Sequence, residues 1–129
     1  EVISKIWHPI GTHERPEHIG AGDDADVLVI APASADHIAR LAHGFGDDVV
    51  CLTALAWDGP TVVCPAMNDR MWKNPALQEN VRILLERGIH VVEPATGHLA
   101  CGSTGPGRLA DLDEIDAVVS GLIETRELS

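Results

Sequence analysis

Two short runs of apolar residues, most of them β-branched, constrain the fold of this chain more than any other feature. They cover residues 27–31 (V-L-V-I-A) and 61–64 (T-V-V-C). Neither run alternates apolar with polar residues, which is typical of parallel strands that are covered on both faces. Residues 89–92 (I-H-V-V) form a third run. The sequence therefore predicts three strands of a parallel sheet.

Segments with helical spacing of apolar residues separate these runs. Helices are predicted over 34–43, from Asp47 or Asp48 to Trp57, over 75–87 and over 112–123, with a Gly-rich loop at 94–108. This alternation predicts an α/β fold with a parallel sheet wrapped by helices, and the length predicts one domain over residues 1–129. Because an open α/β sheet usually has more than three strands, either residues 2–7 add a strand or, as we expect, one or more N-terminal strands are absent from this chain.

Net charge, hydropathy and cysteine content argue against several classes of protein and partner. The net charge of −11 disfavours nucleic acid and anionic membranes as partners. No apolar run approaches the roughly 20 residues of a membrane helix, and the start of the chain does not resemble a signal peptide. Three cysteines without framework spacing indicate reduced thiols and a cytoplasmic protein. Since no C-x-x-C or H-x-x-x-H pair is present, the spacing predicts no metal site.

Residues 65–72 (P-A-M-N-D-R-M-W) directly follow the second predicted strand. Ligands bind at the carboxyl ends of parallel strands, and an asparagine there offers two donors and one acceptor. Asn68 can therefore hold a ligand, or it can cap a short helix around Met71. The residues alone leave both interpretations open.

Two further segments follow the other strand ends. Residues 32–37 (P-A-S-A-D-H) place small side chains where backbone N–H groups can approach an anion or a flat ligand, although an ordinary helix capped by Ser34 is the simpler interpretation. Residues 99–108 (L-A-C-G-S-T-G-P-G-R) place Cys101 among glycines, which suits either a reactive thiol on a lid or a surface loop with an incidental cysteine. His18, before the first strand, indicates little by itself.

Together these segments resemble the flavin-dependent cysteine decarboxylases, which include phosphopantothenoylcysteine decarboxylases and lantibiotic peptidyl-cysteine decarboxylases. Residues 32–37 look like the family's P-A-S-A-N-T segment, with Asp36 and His37 in place of N-T. Residues 65–72 fit its P-x-M-N-x-x-M-W motif, and residues 99–108 look like its L-A-C-G-x-x-G-x-G-R substrate clamp. His18 falls where the family has its active-site histidine. The cysteine in the clamp points to the coenzyme A branch.

The resemblance implies a three-layer flavodoxin/Rossmann-like flavoprotein fold and a role for each matching residue. His18 would be the catalytic base, Asn68 would hold the substrate carboxylate, and Cys101 would donate a proton late in the reaction. The residues that would line FMN are Ser34, Ala35, Asp36, His37, Ala66 and Met67. Those that would contact substrate, besides Asn68, are Met71, His98, Leu99 and Ala100.

The implied activity is the FMN-dependent decarboxylation of 4'-phosphopantothenoylcysteine to 4'-phosphopantetheine, in a homotrimer or a dodecamer of trimers. A fused ligase domain or a missing N-terminal segment is a further possible partner. Residues 20–24 (G-A-G-D-D) are acidic where the family often has an arginine, which favours a second interpretation, a decarboxylase of peptidyl-cysteine or another thiol acid. Asp36 and the short N-terminus favour a third, a non-enzymatic flavin-binding or regulatory subunit.

Overall fold

A three-stranded parallel sheet lies at the centre of the structure, a computed structural model that describes residues 27–98 and 104–128. Its strands are β1 (Leu28–Ala33), β2 (Thr61–Pro65) and β3 (His90–Val91), in the order β1-β2-β3. Val62 of β2 pairs with Val29 of β1 on one side and with His90 of β3 on the other, both in parallel register. The predicted parallel sheet is therefore confirmed.

The described residues form five helices: α1 (Ala35–Ala42), α2 (Val49–Ala56), α3 (Asp69–Lys73), α4 (Pro75–Glu86) and α5 (Leu112–Leu128). Side-chain caps fix where the helices begin, because they satisfy N–H groups that have no partner within the helix. Asp48 Oδ1 accepts from the backbone N–H of Cys51 at 2.8 Å, and Asn74 Oδ1 accepts from that of Ala76 at 2.8 Å. Hence α2 and α4 begin where the sequence predicts.

Helices cover both faces of the sheet and enclose two apolar cores. One core includes Val29 and Val62 of the sheet together with Ile115 and Val119 of α5. The other core joins the opposite face of the strands to α1 and α4; its buried members are Ile30, Ala33, Ile38, Ala42, Val63, Leu77, Val81 and Leu84. The predicted three-layer arrangement is confirmed, and burial on both faces explains why the strands lack polar alternation.

The Gly-rich segment after β3 is not the loop that the sequence predicts. It contains an antiparallel hairpin of β4 (Ala95–His98) and β5 (Thr104–Arg108), in which Gly97 pairs with Gly105. A ladder of backbone hydrogen bonds needs no particular side chain, so a stretch rich in Gly and Pro can pair although its composition disfavours a strand. The hairpin brings β5 into contact with α3.

Other differences concern the bounds of elements. β1 continues past the predicted end at Pro32, and its register with β2 shifts between Ile30 and Ala33, as expected where proline contributes no N–H to the ladder. β3 is shorter than predicted and α5 is longer, whereas α3 is the short helix around Met71 that the capping interpretation of Asn68 predicts. In the part of the chain that the structure describes, no helix has the length and apolar character needed to cross a membrane.

Replacing Leu84 by alanine tests the core between α4 and the sheet. Its side chain is fully buried, so Leu84→Ala leaves a cavity and should lower the free energy of unfolding by about 2–5 kcal/mol. Denaturant titration at fixed protein concentration measures this loss. The matched control is Leu85→Ala, one residue further along the same helix but 53% exposed, which should stay within about 0.5 kcal/mol of the parent. Equal losses in the two variants would contradict the packing.

Candidate functional site

Residues 32–37 and 65–72 lie side by side at the carboxyl edge of the sheet. The Cα atoms of Ala33 and Pro65 are paired, and the backbone N–H of Ala66 donates to the carbonyl of Ala33 at 3.1 Å. These contacts extend the β1–β2 pairing beyond the regular ladder. The two segments therefore line one edge, the position at which α/β sheets bind ligands.

Ser34 caps α1, as the simpler interpretation predicts. Its Oγ accepts from the backbone N–H of His37 at 3.1 Å and lies 3.3 Å from Nδ1 of the same residue. The residue is exposed, and a hydroxyl can donate its own proton while it accepts. Capping and ligand binding by Ser34 are thus compatible.

The carboxylate of Asp36, where this chain departs from the family motif, is paired. It accepts from Arg40 Nε at 2.9 Å, and Arg40 Nη1 also donates to Asp47 at 2.6 Å. Hydrogen bonds to Asp36 and then to Asp47 raise the pKa of the Arg40 guanidinium above its ordinary value. The Asp36 side chain is 73% exposed, so its charge is directed to solvent and offset by a cation.

Asn68 caps α3, and this settles one of its two possible roles without excluding the other. Its Oδ1 accepts from the backbone N–H of Met71 at 2.9 Å. Among the described residues its Nδ2 has no hydrogen-bond partner, and the residue is exposed. The amide therefore uses its acceptor for the fold, and its two N–H donors stay available.

The two methionines of this segment are placed differently. Met67 packs partly buried against the core formed with α1 and α4, whereas Met71 is 43% exposed at the surface. An exposed methionine beside Asn68 suits an apolar contact with a ligand. Met67 contributes its side chain mainly to the fold.

Asp69, next to Asn68, is a polar residue that the sequence does not single out. Its Oδ2 lies 3.3 Å from Lys73 Nζ, while its Oδ1 is buried and has no hydrogen-bond partner among the described residues. A buried acceptor without a partner is uncommon in folded proteins. No sequence signal distinguishes this aspartate from an ordinary surface residue.

The hairpin brings the third predicted segment towards the same edge, because β5 contacts α3. The last described pair of its ladder is His98 with Thr104. His18, Leu99, Ala100 and Cys101 lie outside the described residues. The structure therefore brings two of the three strand-end segments together directly and the flanks of the third beside them.

Other candidate groups lie away from this edge, are buried, or already have a hydrogen-bond partner. Arg108 donates to Asp111 at 3.1 Å. Cys64 is buried as predicted, and burial raises the pKa of its thiol to about 12. A cavity of about 200 Å³, lined by Phe45, Leu55, Arg87 and neighbouring residues, lies where β2 and β3 begin, at the opposite end of the sheet. It is not part of the candidate site.

A second polar cluster, unforeseen from the sequence, joins the start of α1 to the start of α2. His37 Nε2 lies 3.6 Å from Asp48 Oδ2. Burial raises the pKa of Asp48, but hydrogen bonds led by the backbone N–H of Cys51 outweigh it, so the pKa is lowered overall. The predicted burial of Cys51 is confirmed.

The family model described as Flavoprotein matches residues 1–125. The chain belongs to this family. A probable phosphopantothenoylcysteine decarboxylase from Streptococcus mutans is 45% identical over 122 residues, which cover 89% of this chain and 68% of that protein. The resemblance to flavin-dependent cysteine decarboxylases is therefore confirmed, and this flavoprotein is of the phosphopantothenoylcysteine decarboxylase type.

Solved structures of similar proteins support the same family. A cysteine-to-serine mutant of PPC decarboxylase, complexed with pantothenoylaminoethenethiol, superposes with a TM-score of 0.77 at 37% identity and covers 92% of this chain and 65% of that one. The FMN-dependent cysteine decarboxylase SpaF gives a TM-score of 0.68 at 41% identity, covering 89% and 61%. The chain spans only 28% of the length of the coenzyme A biosynthesis bifunctional protein from Vibrio vulnificus, to which it is also similar.

Replacing Asp48 by asparagine tests the cluster through the pH dependence of stability. Asparagine caps a helix as well as aspartate does, so the fold is retained. Because the folded-state pKa of Asp48 lies below its ordinary value of 3.8, its ionised form stabilises the fold above that pH and this contribution is lost as the pH falls through the folded-state pKa. Urea unfolding of both proteins over a pH series should show their difference shrinking below about pH 4. Parallel curves would contradict the assignment.

Proposed function

We propose that this flavoprotein catalyses the FMN-dependent decarboxylation of 4'-phosphopantothenoylcysteine to 4'-phosphopantetheine, a step of coenzyme A biosynthesis. One observation carries the proposal: the contact of Ala66 with Ala33 places the 32–37 and 65–72 motifs at one edge of the sheet. Residues 65–72 fit the motif of cysteine decarboxylases, and residues 32–37 resemble theirs except at Asp36 and His37. The similar proteins include a probable phosphopantothenoylcysteine decarboxylase. The activity requires those two segments in one site.

The residues at this edge fit a flavin. The side chains of Ser34, Ala35 and Ala66 are small and incompletely buried, which leaves room for a flat ring against the strand ends. The carboxylate of Asp36 is held by Arg40, so it does not present an uncompensated charge to an anionic cofactor. We assign FMN contacts to Ser34, Ala35, Asp36, His37, Ala66 and Met67, with His37 acting through its backbone because its ring is turned to Asp48.

Bound FMN would supply the reversible two-electron chemistry at the carbon that carries sulfur. The chain supplies the proton transfers, for which we assign His18 as base and Cys101 as proton donor. Met71 and the backbone of residues 98–100 would contact the substrate. These assignments follow the motif positions.

Asn68 is suited to hold a carboxylate that must leave as CO₂. Its free Nδ2 can donate to the carboxylate and orient it, while its Oδ1 stays bonded to the backbone of Met71, so the amide cannot rotate freely. A neutral donor stabilises the ionised ground state less than a guanidinium would. Since the carboxylate loses its charge as CO₂ departs, weaker ground-state binding favours the reaction.

The remaining proposals concern the compartment, the oligomeric state and the domain organisation of the protein. The free, buried thiols of Cys51 and Cys64 support a cytoplasmic protein. We propose a trimer-based homo-oligomer, as the family resemblance implies, and one flavoprotein domain that is fused to a second activity in some relatives, as the name of the bifunctional protein indicates. The expectation that nucleic acid and membranes are not partners stays a prediction.

Asn68→Asp separates the capping role from the catalytic one. Aspartate preserves the acceptor for the Met71 N–H but replaces the Nδ2 donor by an anionic oxygen that repels the substrate carboxylate. We expect kcat/KM to fall by about 10²-fold or more, with flavin content and thermal stability unchanged. CO₂ release with phosphopantothenoylcysteine measures the effect.

The matched control is Asn74→Asp. Asn74 caps the next helix in the same way, with its Oδ1 accepting from Ala76, but lies outside the motif. It should keep parental activity. If both variants or neither lose activity, Asn68 does not hold the carboxylate.

A substrate panel tests the phosphorylated substrate against the alternatives. We expect phosphopantothenoylcysteine to be preferred over its unphosphorylated form by roughly 10- to 100-fold in kcat/KM, the value of a charge-assisted contact of ~1.5–3 kcal/mol. Preference for a peptide ending in cysteine would favour a peptidyl-cysteine decarboxylase. Protein that binds FMN but turns over no member of the panel would instead indicate a flavin-binding or regulatory subunit.

A further inference from the structure

Three side chains that commonly bind metals converge between α1 and α2. A ring nitrogen of His37, a carboxylate oxygen of Asp48 and the sulfur of Cys51 all lie within 4.8 Å of one another. His37 belongs to the first turn of α1, while Asp48 and Cys51 form the cap and first turn of α2. The cluster therefore bridges two helices, which explains why sequence spacing does not reveal it.

The other polar atoms of His37 and Asp48 are engaged by the fold, and within the cluster the Cys51 thiol is hydrogen-bonded to the Asp48 carboxylate. His37 Nδ1 lies 3.3 Å from Ser34 Oγ, and Asp48 Oδ1 accepts from the backbone N–H of Cys51 at 2.8 Å. Nε2 and Oδ2 consequently face each other at 3.6 Å. A histidine fixed through one ring nitrogen, with the other directed at further ligands, is the arrangement seen around protein metals.

The His37 tautomer decides what lies between the facing atoms. With the hydrogen on Nε2, the ring can point its N–H at Asp48 Oδ2 and no ion is needed. When Nδ1 carries the hydrogen that Ser34 accepts, Nε2 presents a lone pair to the Asp48 carboxylate, and the two repel unless a proton or a metal ion lies between them. A proton would use only these two atoms. A metal ion would also use the sulfur of Cys51, which is fully buried beside them.

The charges balance for a divalent ion. The Asp48 carboxylate and a Cys51 thiolate carry two negative charges, and the imidazole is neutral. Burial, followed by Asp48, raises the pKa of the Cys51 thiol to about 11, so metal binding would release the thiol proton to solvent. Arg40 also acts on Cys51, but hydrogen bonds to Asp36 and Asp47 offset its charge.

We propose that His37, Asp48 and Cys51 form a binding site for a divalent transition-metal ion, with zinc as the expected ion. Thiolate and imidazole ligands favour zinc over magnesium or calcium, and three protein ligands leave a fourth position for water. The Asp48 side chain is 38% exposed, so ion and water can reach the cluster from solvent. Bound metal would join the starts of α1 and α2 next to the flavin-binding residues.

Metal retention by the full chain with its flavin tests the proposal. The protein is treated with EDTA, dialysed against Zn²⁺ and then against metal-free buffer, and its zinc is measured by mass spectrometry. We expect about one Zn²⁺ per chain in the parent. We expect His37→Gln, Asp48→Asn and Cys51→Ser to lose it. Asp48→Asn is decisive among them, because asparagine preserves the helix cap and the fold.

Two variants serve as matched controls. His43→Gln changes an exposed histidine of the same region whose Nε2 is bonded to Asn80 at 3.0 Å, and Cys64→Ser changes a buried cysteine outside the cluster. Both should retain zinc as the parent does. Co²⁺ should also give a thiolate-to-metal absorption band in the difference spectrum of parent minus Cys51→Ser, in which the flavin absorbance cancels.

Three results would overturn the proposal. The first is a parent protein that retains no zinc. The second is retention of zinc by Asp48→Asn or Cys51→Ser at the parent's level. The third is loss of zinc from the two control variants to the same extent as from the cluster variants. Each would leave Asp48 as a helix cap that pairs with His37, with no metal involved.

Discussion

The parallel pairing of β1 with β2 is the constraint on which the site depends. Parallel strands bring their carboxyl ends to the same edge, and the bond from the Ala66 N–H to the Ala33 carbonyl continues that pairing into the following loops. The register is held by burial on both faces, since a slip would move Val29 or Val62 out of one core and into the other. Relative placement of the two site segments is thus a consequence of core packing.

Side-chain caps at the helix N-termini also position polar groups of the site. Ser34, Asp48 and Asn68 each accept a backbone N–H at the start of a helix, which fixes the side chain against the backbone at low entropic cost. Each still has polar atoms to spare: the hydroxyl proton of Ser34, Oδ2 of Asp48 and Nδ2 of Asn68. The same residues can therefore define the helix starts and present rigidly held groups to ligands.

Much of the fold could be predicted because its signals are local. The uninterrupted apolar runs of β1 and β2, and Pro75 at the start of α4, each specify an element within a few residues. The β4–β5 hairpin could not, because its pairing rests on backbone hydrogen bonds between glycine-rich segments. Asn68 and Ser34 were identified by motif, whereas the buried oxygen of Asp69 and the approach of His37 to Cys51 arise only when separate elements pack.

The partners of three acidic side chains connect the edge assigned to FMN with the junction between α1 and α2. Asp36, Asp47 and Asp48 concentrate negative charge beside residues assigned to an anionic cofactor, in a chain of net charge −11. Arg40 binds the first two carboxylates, and Asp48 faces His37 and the start of α2 instead. The first two carboxylates are thereby offset by a cation, and the third accepts the backbone N–H of Cys51. The unusual Asp36-His37 pair is consistent with a flavin site because its two side chains are engaged by neighbours on the helices, which leaves the backbone and the small side chains of this segment for the cofactor.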